Sequence, residues 1–233
     1  MRDVGGGDQY WRTALHNGIR ADAKLAPNLV SCSQRRRIAH ARPLTVFVHQ
    51  TPDSKRAAVE AFLEAAYDRA FKAQIRCHYP LLMSLQEERG ATQAAVGFRF
   101  ASGGPLFLEQ YLDQPIELVL AKHFGQVARC GVVEIGNLAA RSPAASRQLF
   151  LALARRLSFW GATHAVVTAT YQLQRTFERL GLEPWRLSRA EPTRLGDDAA
   201  DWGAYYRCDP VVLAQPIAPC LAMFASAVPE TAQ

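Results

Sequence analysis

The chain has 233 residues, of which 49% are hydrophobic and 21% are charged, with a formal net charge of +6. These proportions are those of a globular protein and exclude a fibrous protein, a disordered chain and a disulfide-stabilised miniprotein. The positive charge is concentrated at the start, because residues 1–43 hold eight Lys or Arg against three Asp, whereas residues 44–233 hold nineteen against eighteen.

The N-terminal segment 1–43 is predicted to be a basic, flexible arm. No apolar run of signal-peptide length follows Met1, so export through a standard N-terminal signal is not expected. The densest basic patch, Arg35–Arg37 with Arg42, comes just before the first predicted strand. Such a patch is typical either of a solvated tail or of a docking site for an acidic partner or an anionic lipid, and both alternatives stay open.

Apolar periodicity and turn residues predict an alternation of strands and helices in the rest of the chain. The predicted strands cover residues 43–49, 93–100, 128–135, 164–170, 184–187 and 205–213. The first predicted helix has Thr51 as its N-cap, Pro52 as its first residue and an apolar stripe through residues 59–70. Further helices are predicted at residues 106–113, 116–124, 143–160 and 171–180. This order predicts the α/β class, with a mixed β-sheet flanked by helices.

One domain, residues 44–213, accounts for these elements, between the basic arm and an apolar, proline-containing tail at 214–233. The uncharged stretch 210–229 is long enough to be tested as a membrane span, but Pro216 and Pro219 would break its helix. We therefore expect a docked C-terminal strand and tail. The alternative is peripheral contact of this stretch with lipid or with a long acyl chain.

Cysteines and histidines give no sign of a metal site. The five cysteines are odd in number and contain no CxxC pair, which also argues against a disulfide framework and indicates a reducing cytoplasm. His78, His123 and His164 lack metal-ligand spacing and are interpreted as surface or core residues. We therefore predict no bound metal.

The segment Val133–Arg147 joins a predicted strand to a predicted helix and carries the strongest chemical signal. The strand is expected to end at Ile135, and small residues lead into a helix that begins at Pro143. Such a junction directs free backbone N–H groups at one point, where the helix dipole favours a phosphate or pyrophosphate. Small residues also serve ordinary helix starts, so this pattern alone leaves both interpretations open.

Two segments resemble the GNAT acyltransferase superfamily. Arg141–Ser146 resembles its acyl-donor loop, R/Q-x-x-G-x-G/A, with both glycines replaced, and Arg175–Pro184 resembles its closing helix and turn, fYeklGF. Phe177 stands at the tyrosine position, so the hydroxyl that serves there as a general acid is missing or replaced. The resemblance implies a GNAT-like fold and a donor site formed by Leu138, Ala139, Arg141, Ala144, Ala145, Ser146 and Arg147.

The strand Val133–Ala139 also resembles the E-[hydrophobic]-S-R-[hydrophobic]-A strand of acyl-homoserine lactone synthases. Upstream, Val96–Arg99 resembles their G-x-x-R-hydrophobic strand. The resemblance implies that Glu134 and Arg99 act as a pair. Gly136–Asn137 replaces the Ser-Arg of the synthase motif, and the aspartates that hold the lactone-forming substrate are not found, which argues against homoserine lactone synthesis itself.

The chain is identified as a member of the bacterial family called thermostable hemolysin, over most of residues 55–213. The residues that carry this resemblance are Tyr79–Leu81, Ala95–Arg99, Leu106–Asp113, Pro115–Glu117, Val133–Ala139, Thr168–Thr170, Arg179–Leu182, Trp202–Gly203 and Tyr205–Tyr206. The family name describes a lytic phenotype, whereas the implied fold resembles an acyltransferase.

Two carboxylates are candidates for chemistry, each with a structural alternative. Glu134 lies in an apolar strand, where burial raises the pKa of a carboxyl group, so it is the predicted general base for an amine. Its alternative is a buried ion pair with Arg99 or Arg129. Glu109 is either a second carboxylate in the cleft or a solvated helix residue.

The predicted substrate contacts are Glu109, Asn137, Thr170, Trp202 and Tyr205. The two aromatic side chains among them would line an acyl or amine pocket, but packing at the edge of the sheet explains them equally well.

The leading hypothesis is a cytoplasmic N-acyltransferase that moves a fatty-acyl group to a small amine, such as an amino acid or its derivative. The donor would be acyl-CoA or acyl-4'-phosphopantetheine on an acidic acyl carrier protein, which the basic arm would engage. No nucleic-acid partner is expected, and membrane contact would be peripheral only. The alternatives are a hemolysin-type membrane-perturbing protein and a catalytically inactive GNAT-like binding module.

Overall fold

A computed structural model describes residues 43–226. The strands are β1 (Thr45–His49), β2 (Leu81–Gln86), β3 (Thr92–Phe100), β4 (Val132–Ala140), β5 (His164–Ala169), β6 (Trp185–Arg189) and β7 (Val211–Pro216). The α-helices are α1 (Arg56–Phe71), α2 (Ile116–Phe124), α3 (Pro143–Phe159), α4 (Tyr171–Arg179) and α5 (Ile217–Ser226). Short 3-10 helices cover Ala101–Gly103, Phe107–Tyr111, Arg129–Gly131, Pro192–Trp202 and Tyr205–Cys208.

The seven strands form one sheet in the order β1-β2-β3-β4-β5-β7-β6. Five neighbouring pairs are antiparallel, and the central pair β4 and β5 is parallel. A parallel pair needs a long crossover, which α3 supplies. Apolar side chains of α3, α4 and α5 cover one face of the sheet, and those of α1 and α2 cover the other. The predicted mixed sheet flanked by helices is confirmed.

The first helix begins at Arg56, four residues later than predicted. The side chain of Asp53 is engaged in a preceding turn, where it lies 2.6 Å from His49 Nδ1 and accepts a hydrogen bond from the N–H of Lys55 at 2.9 Å. The guanidinium of Arg56 donates to two carbonyl groups in the segment before β2. These bonds anchor the start of α1, so the predicted N-cap at Thr51 is wrong.

The next two crossovers agree with the sequence analysis. Ser142 Oγ caps α3 by accepting a hydrogen bond from the N–H of Ala145, and Thr170 Oγ1 caps α4. Gly161 and Gly181 follow the ends of these helices with φ values of +84° and +75°. Glycine adopts this left-handed conformation at little cost, which is why helices so often end there.

The central strand β4 begins and ends later than the predicted strand 128–135. Residues 129–131 form a 3-10 turn before it. Gly136, Ala139 and Ala140 are paired with β3, so the small residues that were expected to form a turn continue the strand. β4 is buried on both faces, and small side chains fit a strand that is covered so closely.

Two other strand predictions need correction. In the predicted strand 205–213, residues 205–208 form a 3-10 helix, and β7 begins only at Val211. The strand β2 was not predicted at all. Its residues from Leu82 to Gln86 are all buried, and only the four residues Met83–Gln86 alternate apolar and polar side chains, which is too short a pattern to predict a strand.

The C-terminal part of the described chain is ordered into β7 and α5, which extend through Ser226 into the segment that was predicted to be a tail. Pro219 is the third residue of α5, where the helix does not need a backbone N–H. Ile217, Cys220 and Phe224 of α5 are buried in the core that α3 also contributes to. Within residues 43–226, no helix combines the length and the apolar character that a bilayer crossing requires.

The predictions on the basic arm lie outside the described residues, and these include the patch Arg35–Arg37 with Arg42. Residues 227–233 also lie outside them.

Candidate active site

The parallel strands β4 and β5 are paired only along the first four residues of each. Val132–Ile135 pairs with His164–Val167, and beyond these positions neither strand has a register partner in the other. On its opposite edge β4 has a bulge, because Asn137 and Leu138 together face one residue of β3. Asn137 has a φ of +46°, a left-handed conformation that asparagine tolerates better than most residues. The place at the centre of the sheet where β4 and β5 cease to pair, beside this bulge, is called the cleft below.

A polar group from the α1 side of the sheet reaches this cleft. His78 Nε2 lies 2.9 Å from Glu64 Oε1, and His78 Nδ1 lies 3.5 Å from Asn137 Nδ2. The Asn137 side chain is fully buried, and its Oδ1 has no hydrogen-bond partner in the described part of the chain. A buried amide oxygen without a partner is costly, so it is a candidate acceptor for a ligand N–H group.

The ring of Tyr79 closes the same side of the cleft. A Cβ atom added at Gly136 would overlap the Tyr79 hydroxyl, and one at Gly97 would lie 2.8 Å from Tyr79 Cβ. The guanidinium of Arg99 lies 5.9 Å from the centre of the Tyr79 ring. The two glycines therefore make room for one buried tyrosine.

Glu134 is 1% exposed, and both of its oxygens accept hydrogen bonds. Arg99 Nε at 3.1 Å and the N–H of Phe107 at 2.9 Å donate to Oε2, and the N–H of Leu108 at 2.9 Å donates to Oε1. Burial raises the pKa of Glu134, while Arg99 and the two N–H groups act in the opposite direction. This geometry is the buried pair with Arg99 that the sequence left as the alternative, extended to the start of a 3-10 helix.

Glu109 belongs to a second ion-pair network. Arg129 donates to both of its oxygens, at 2.7 and 2.9 Å, and also to Glu117 at 2.6 Å. The N–H groups of Leu106 and Ile116 donate to Glu109 as well. Burial alone would raise the pKa of Glu109, but these hydrogen bonds outweigh it and hold the pKa below its ordinary value. Arg129 therefore pairs with Glu109 and Glu117 in the described chain, and the contact of Glu109 with substrate stays a prediction.

The predicted donor loop offers few groups for a phosphate. Pro143 has no N–H, the N–H of Ala145 is taken by Ser142 Oγ, and that of Ser146 is taken by the Ser142 carbonyl. Among the described residues of this first turn, the N–H of Ala144 is left for an outside anion. The loop therefore does not fit a cradle that wraps a pyrophosphate in several N–H groups.

The side chains around this loop divide into exposed cations and buried small groups. Arg141 and Arg147 are exposed, and Arg141 Nε donates to the Thr92 carbonyl at 3.0 Å. Ser146 is 1% exposed, and its hydroxyl has no partner in the described chain. Leu138 and Ala139 are buried on β4. The loop can thus offer two positive charges at the surface.

The predicted aromatic contacts form a wall behind the cleft. Trp202 and Tyr205 are buried, and their rings contact each other at a tilt of 43° with centres 4.9 Å apart. Tyr205 Oη donates to the Thr168 carbonyl on β5 at 3.2 Å. Thr170 is also fully buried, and its hydroxyl is used as the cap of α4. These residues fix the position of β5 beside the cleft.

An apolar cavity lies on the other face of the sheet, beneath α3, α4 and α5. Its volume is ≈ 70 Å³. Ile135, Leu138 and Val167 form the part that adjoins the cleft. The rest of the lining comes from Phe150, Leu153, Ala154, Leu157, Ala165, Phe177, Leu182, Pro184, Ala214, Gln215, Ile217, Cys220 and Phe224. Phe177, at the position of the missing GNAT tyrosine, thus lines this cavity.

A family model matches most of the chain, over residues 49–220, and its family is thermostable hemolysin. The chain belongs to the thermostable hemolysin family. The match confirms the resemblance seen in the sequence and extends it to the end of β1 and into α5. No curated protein matches the sequence.

Solved structures with a similar fold include two proteins, TofI and LasI. The crystal structure of TofI in an apo form has 16% identity and a TM-score of 0.55, covering 78% of this chain and 96% of TofI. The AHL synthase LasI has 16% identity and a TM-score of 0.55, covering 76% of this chain and 91% of LasI. TofI in a ternary complex with an inhibitor and MTA has 16% identity and a TM-score of 0.53, covering 77% and 96%. The GNAT-like fold of this hemolysin-family chain is thereby confirmed.

The structure brings together some of the predicted site residues and adds others. Glu134 contacts Arg99, and Asn137 lies at the cleft, as the strand resemblances implied. His78 and Glu64 were not predicted as a pair, because they are 14 positions apart and no sequence motif joins them. Within residues 43–226, no group of three or more His, Cys, Asp or Glu side chains is placed to hold a metal ion. The roles of the predicted residues in catalysis stay predictions.

Proposed function

We propose that this protein is an N-acyltransferase that moves a fatty-acyl group from a thioester to a small amine in the cytoplasm. One observation carries the proposal: an apolar cavity and a polar group meet from opposite faces of the sheet, where β4 and β5 cease to pair. Acyl transfer to an amine needs an apolar site for the chain and a polar site for the nucleophile, on the two sides of one carbonyl carbon.

The chemical character of the cavity suits an acyl chain. Its lining is apolar apart from Gln215 and the Cys220 thiol, so it offers few partners for a polar ligand. Transfer of each methylene from water into such a site contributes about 0.8 kcal/mol. Because Ile135, Leu138 and Val167 adjoin the cleft, the carbonyl end of a chain in this cavity would lie between β4 and β5.

The α1 side of the cleft suits an amine. Asn137 Oδ1 is a buried acceptor without a partner in the described chain, and an ammonium or amine N–H would satisfy it. His78 and Glu64 lie next to it. A substrate that holds its nitrogen at Asn137 would approach the thioester from the face opposite the acyl chain.

The donor head group is held outside the cleft in this proposal. The first turn of α3 does not fit a pyrophosphate cradle, but Arg141 and Arg147 are exposed beside it and can contact a single phosphate. A phosphopantetheine arm on an acidic acyl carrier protein carries one such phosphate. The net charge of +6 adds long-range attraction to an acidic protein. An acyl carrier protein is therefore the donor that we favour over acyl-CoA.

The test is an acyl-transfer assay with the full chain. Thioesters of graded chain length, on coenzyme A and on acyl carrier protein, are mixed with the twenty amino acids and simple alkylamines. Free thiol and acyl-amide masses are then followed. We expect amide formation that depends on the protein and is faster from the carrier protein. Amide formation from coenzyme A alone would overturn the carrier assignment, and no amide from any pair would overturn the proposed function.

A parallel assay addresses the membrane-perturbing alternative. Dye release from vesicles of neutral and anionic lipids is measured with the same preparation and no thioester present. We expect no release at protein concentrations that give full acyl transfer. Release without amide formation in the first assay would favour direct lysis.

A further inference from the structure

We infer that His78, oriented by Glu64, is the general base that removes a proton from the amine at Asn137. This inference rests on the proposed function and names the residue that activates its acceptor. The observation that carries it is a chain of three side chains, Glu64, His78 and Asn137, which runs from the surface of α1 to the bulge of β4.

The contact with Glu64 selects one form of the imidazole. A carboxylate 2.9 Å from Nε2 accepts a hydrogen bond from that nitrogen, so the neutral ring carries its proton there. Nδ1 then carries the lone pair, and it accepts a long hydrogen bond from Asn137 Nδ2 at 3.5 Å, which a substrate ammonium held at Asn137 Oδ1 would replace. The same logic orients the histidine of a Ser-His-Asp triad, where an acid fixes one nitrogen and frees the other for proton transfer.

The exposure of the pair allows protons to leave. The side chain of His78 is 10% exposed, whereas that of Glu64 is 52% exposed and faces solvent. A base that is shielded at one nitrogen and connected to water through the other can take a proton in the cleft and release it outside. The titratable or charged groups around His78 are Glu64 on α1, its chain neighbours Cys77 and Tyr79, and Arg99 of β3 over the Tyr79 ring.

The two carboxylates that the sequence predicted as candidates for chemistry, Glu134 and Glu109, already accept several hydrogen bonds each. Both oxygens of Glu134 are engaged by three hydrogen bonds, from Arg99 and from two backbone N–H groups, which leaves them poorly placed to take a substrate proton. Glu109 receives hydrogen bonds from Arg129 and from two backbone N–H groups. His78 has a ring nitrogen that faces the buried, partly unsatisfied amide at the cleft.

Two proton transfers accompany the proposed acyl transfer. His78 Nδ1 takes one proton from the ammonium R–NH3⁺, and the amine lone pair then forms the C–N bond at the thioester carbonyl. As the C–S bond breaks, the sulfur leaves with its electron pair and takes a second proton from the new C–N nitrogen. The products are an amide and a free thiol. The proton held by His78 passes to water, and the base is regenerated.

The test compares variants in the acyl-transfer assay, with the thioester and amine that give the fastest turnover for the wild-type chain. H78Q is expected to lower kcat by about 10²–10⁴-fold with little change in the KM for the thioester. E64Q is expected to give a smaller loss in the same direction. H123Q replaces an exposed histidine on α2 and is the matched control, with wild-type turnover.

Two further readouts separate a base from a structural residue. H78A leaves a space, and added imidazole is expected to restore part of its rate. The wild-type rate should fall toward acid pH, and this limb should be lost in H78Q. Wild-type turnover in H78Q, or a loss without imidazole rescue and with the acid limb unchanged, would overturn the inference while the proposed function stands. No turnover by the wild-type chain would overturn both.

Discussion

Tyr79 lies against Gly136 so closely that no side chain fits between them: a Cβ at position 136 would overlap the hydroxyl and the ring of Tyr79. Gly136 is also the position where the acyl-homoserine lactone synthase motif has its serine. The replacement is explained by the tyrosine, which occupies the volume that a serine side chain would need. One wall of the cleft in this chain is thus built from an aromatic ring on a loop instead of a polar side chain on β4.

We predict that Gly136→Ala impairs both stability and acyl transfer. The added methyl group must push Tyr79 aside, and overpacking of this kind costs about 1–3 kcal/mol. Because Tyr79 lines the cleft, its displacement should also lower turnover. Thermal melting and the transfer assay on one preparation measure the two effects.

Gly103→Ala is the matched control, because a Cβ at that position meets no atom within 4 Å. It should leave both properties unchanged. The double variant Gly136→Ala with Tyr79→Phe should not recover stability, since the ring carbons as well as the hydroxyl occupy the space. Full recovery in the double variant would show that the hydroxyl alone is responsible.

The second prediction is that Glu134→Gln acts on stability first. Glutamine has nearly the same volume, but its amide N–H₂ would face at least one of the three N–H groups that now donate hydrogen bonds to Glu134. The substitution also leaves Arg99 without its buried counter-charge. Breaking such a buried pair costs about 3–5 kcal/mol. The melting temperature should fall by roughly 10 °C.

The control for Glu134 is Arg99→Lys, which keeps the charge and the two backbone donors. It should lower the melting temperature less than Glu134→Gln does. Turnover is measured well below both melting temperatures. If Glu134→Gln melts like the wild type but loses about 10²–10⁴-fold in rate, Glu134 is the base and the structural interpretation is wrong.

The Glu134–Arg99 pair and the His78 group differ in how far the sequence could predict them. Glu134 and Arg99 are cross-strand neighbours on β4 and β3, and a pair of strand motifs was enough to place them together. The sequence could not show that the backbone of Phe107 and Leu108 also contacts Glu134. That contact depends on how a 3-10 helix 26 and 27 positions away folds back onto the sheet.

The His78 group was missed for a similar reason. His78 and Asn137 are 59 positions apart, and they meet only because α1 and the loop after it lie over the bulge of β4. The bulge itself requires a register shift between β3 and β4, which neither composition nor periodicity reveals. The available signal was local: an exposed glutamate on the predicted first helix, followed by a histidine beside the family motif that begins at Tyr79.

The third prediction concerns acyl length. Ala154 lines the cavity from α3, and Ala154→Leu adds three carbon atoms to it. The variant should prefer shorter chains, with catalytic efficiency lowered about fourfold for each methylene that no longer fits. Ala152→Leu is the matched control, because Ala152 is also a half-buried residue of α3 but does not line the cavity. Equal chain-length profiles for the two variants would move the acyl chain to another site.

The last prediction uses the thiol of Cys220, which lines the same cavity on α5. Burial raises the pKa of this thiol to about 11 from its ordinary value of 9.0. The thiolate is the reactive form, so a thiol reagent should modify Cys220 slowly at pH 8 and faster as the pH approaches 11. The other thiols of the chain are Cys32, Cys77, Cys130 and Cys208, so a variant with serine at these four positions isolates Cys220.

The same pKa predicts how the stability of the folded protein changes with pH. Because the folded state disfavours the thiolate, stabilisation by the neutral thiol is complete below pH 9 and is lost as the pH rises toward 11. Cys220→Ala should remove this contribution to the loss of stability at alkaline pH.

A long-chain thioester should also protect Cys220 from modification at pH 8.5, whereas a two-carbon thioester should not, because only the long chain reaches the thiol. Mass spectrometry of the modified peptide measures this, and equal labelling with both thioesters would show that the chain does not enter the cavity.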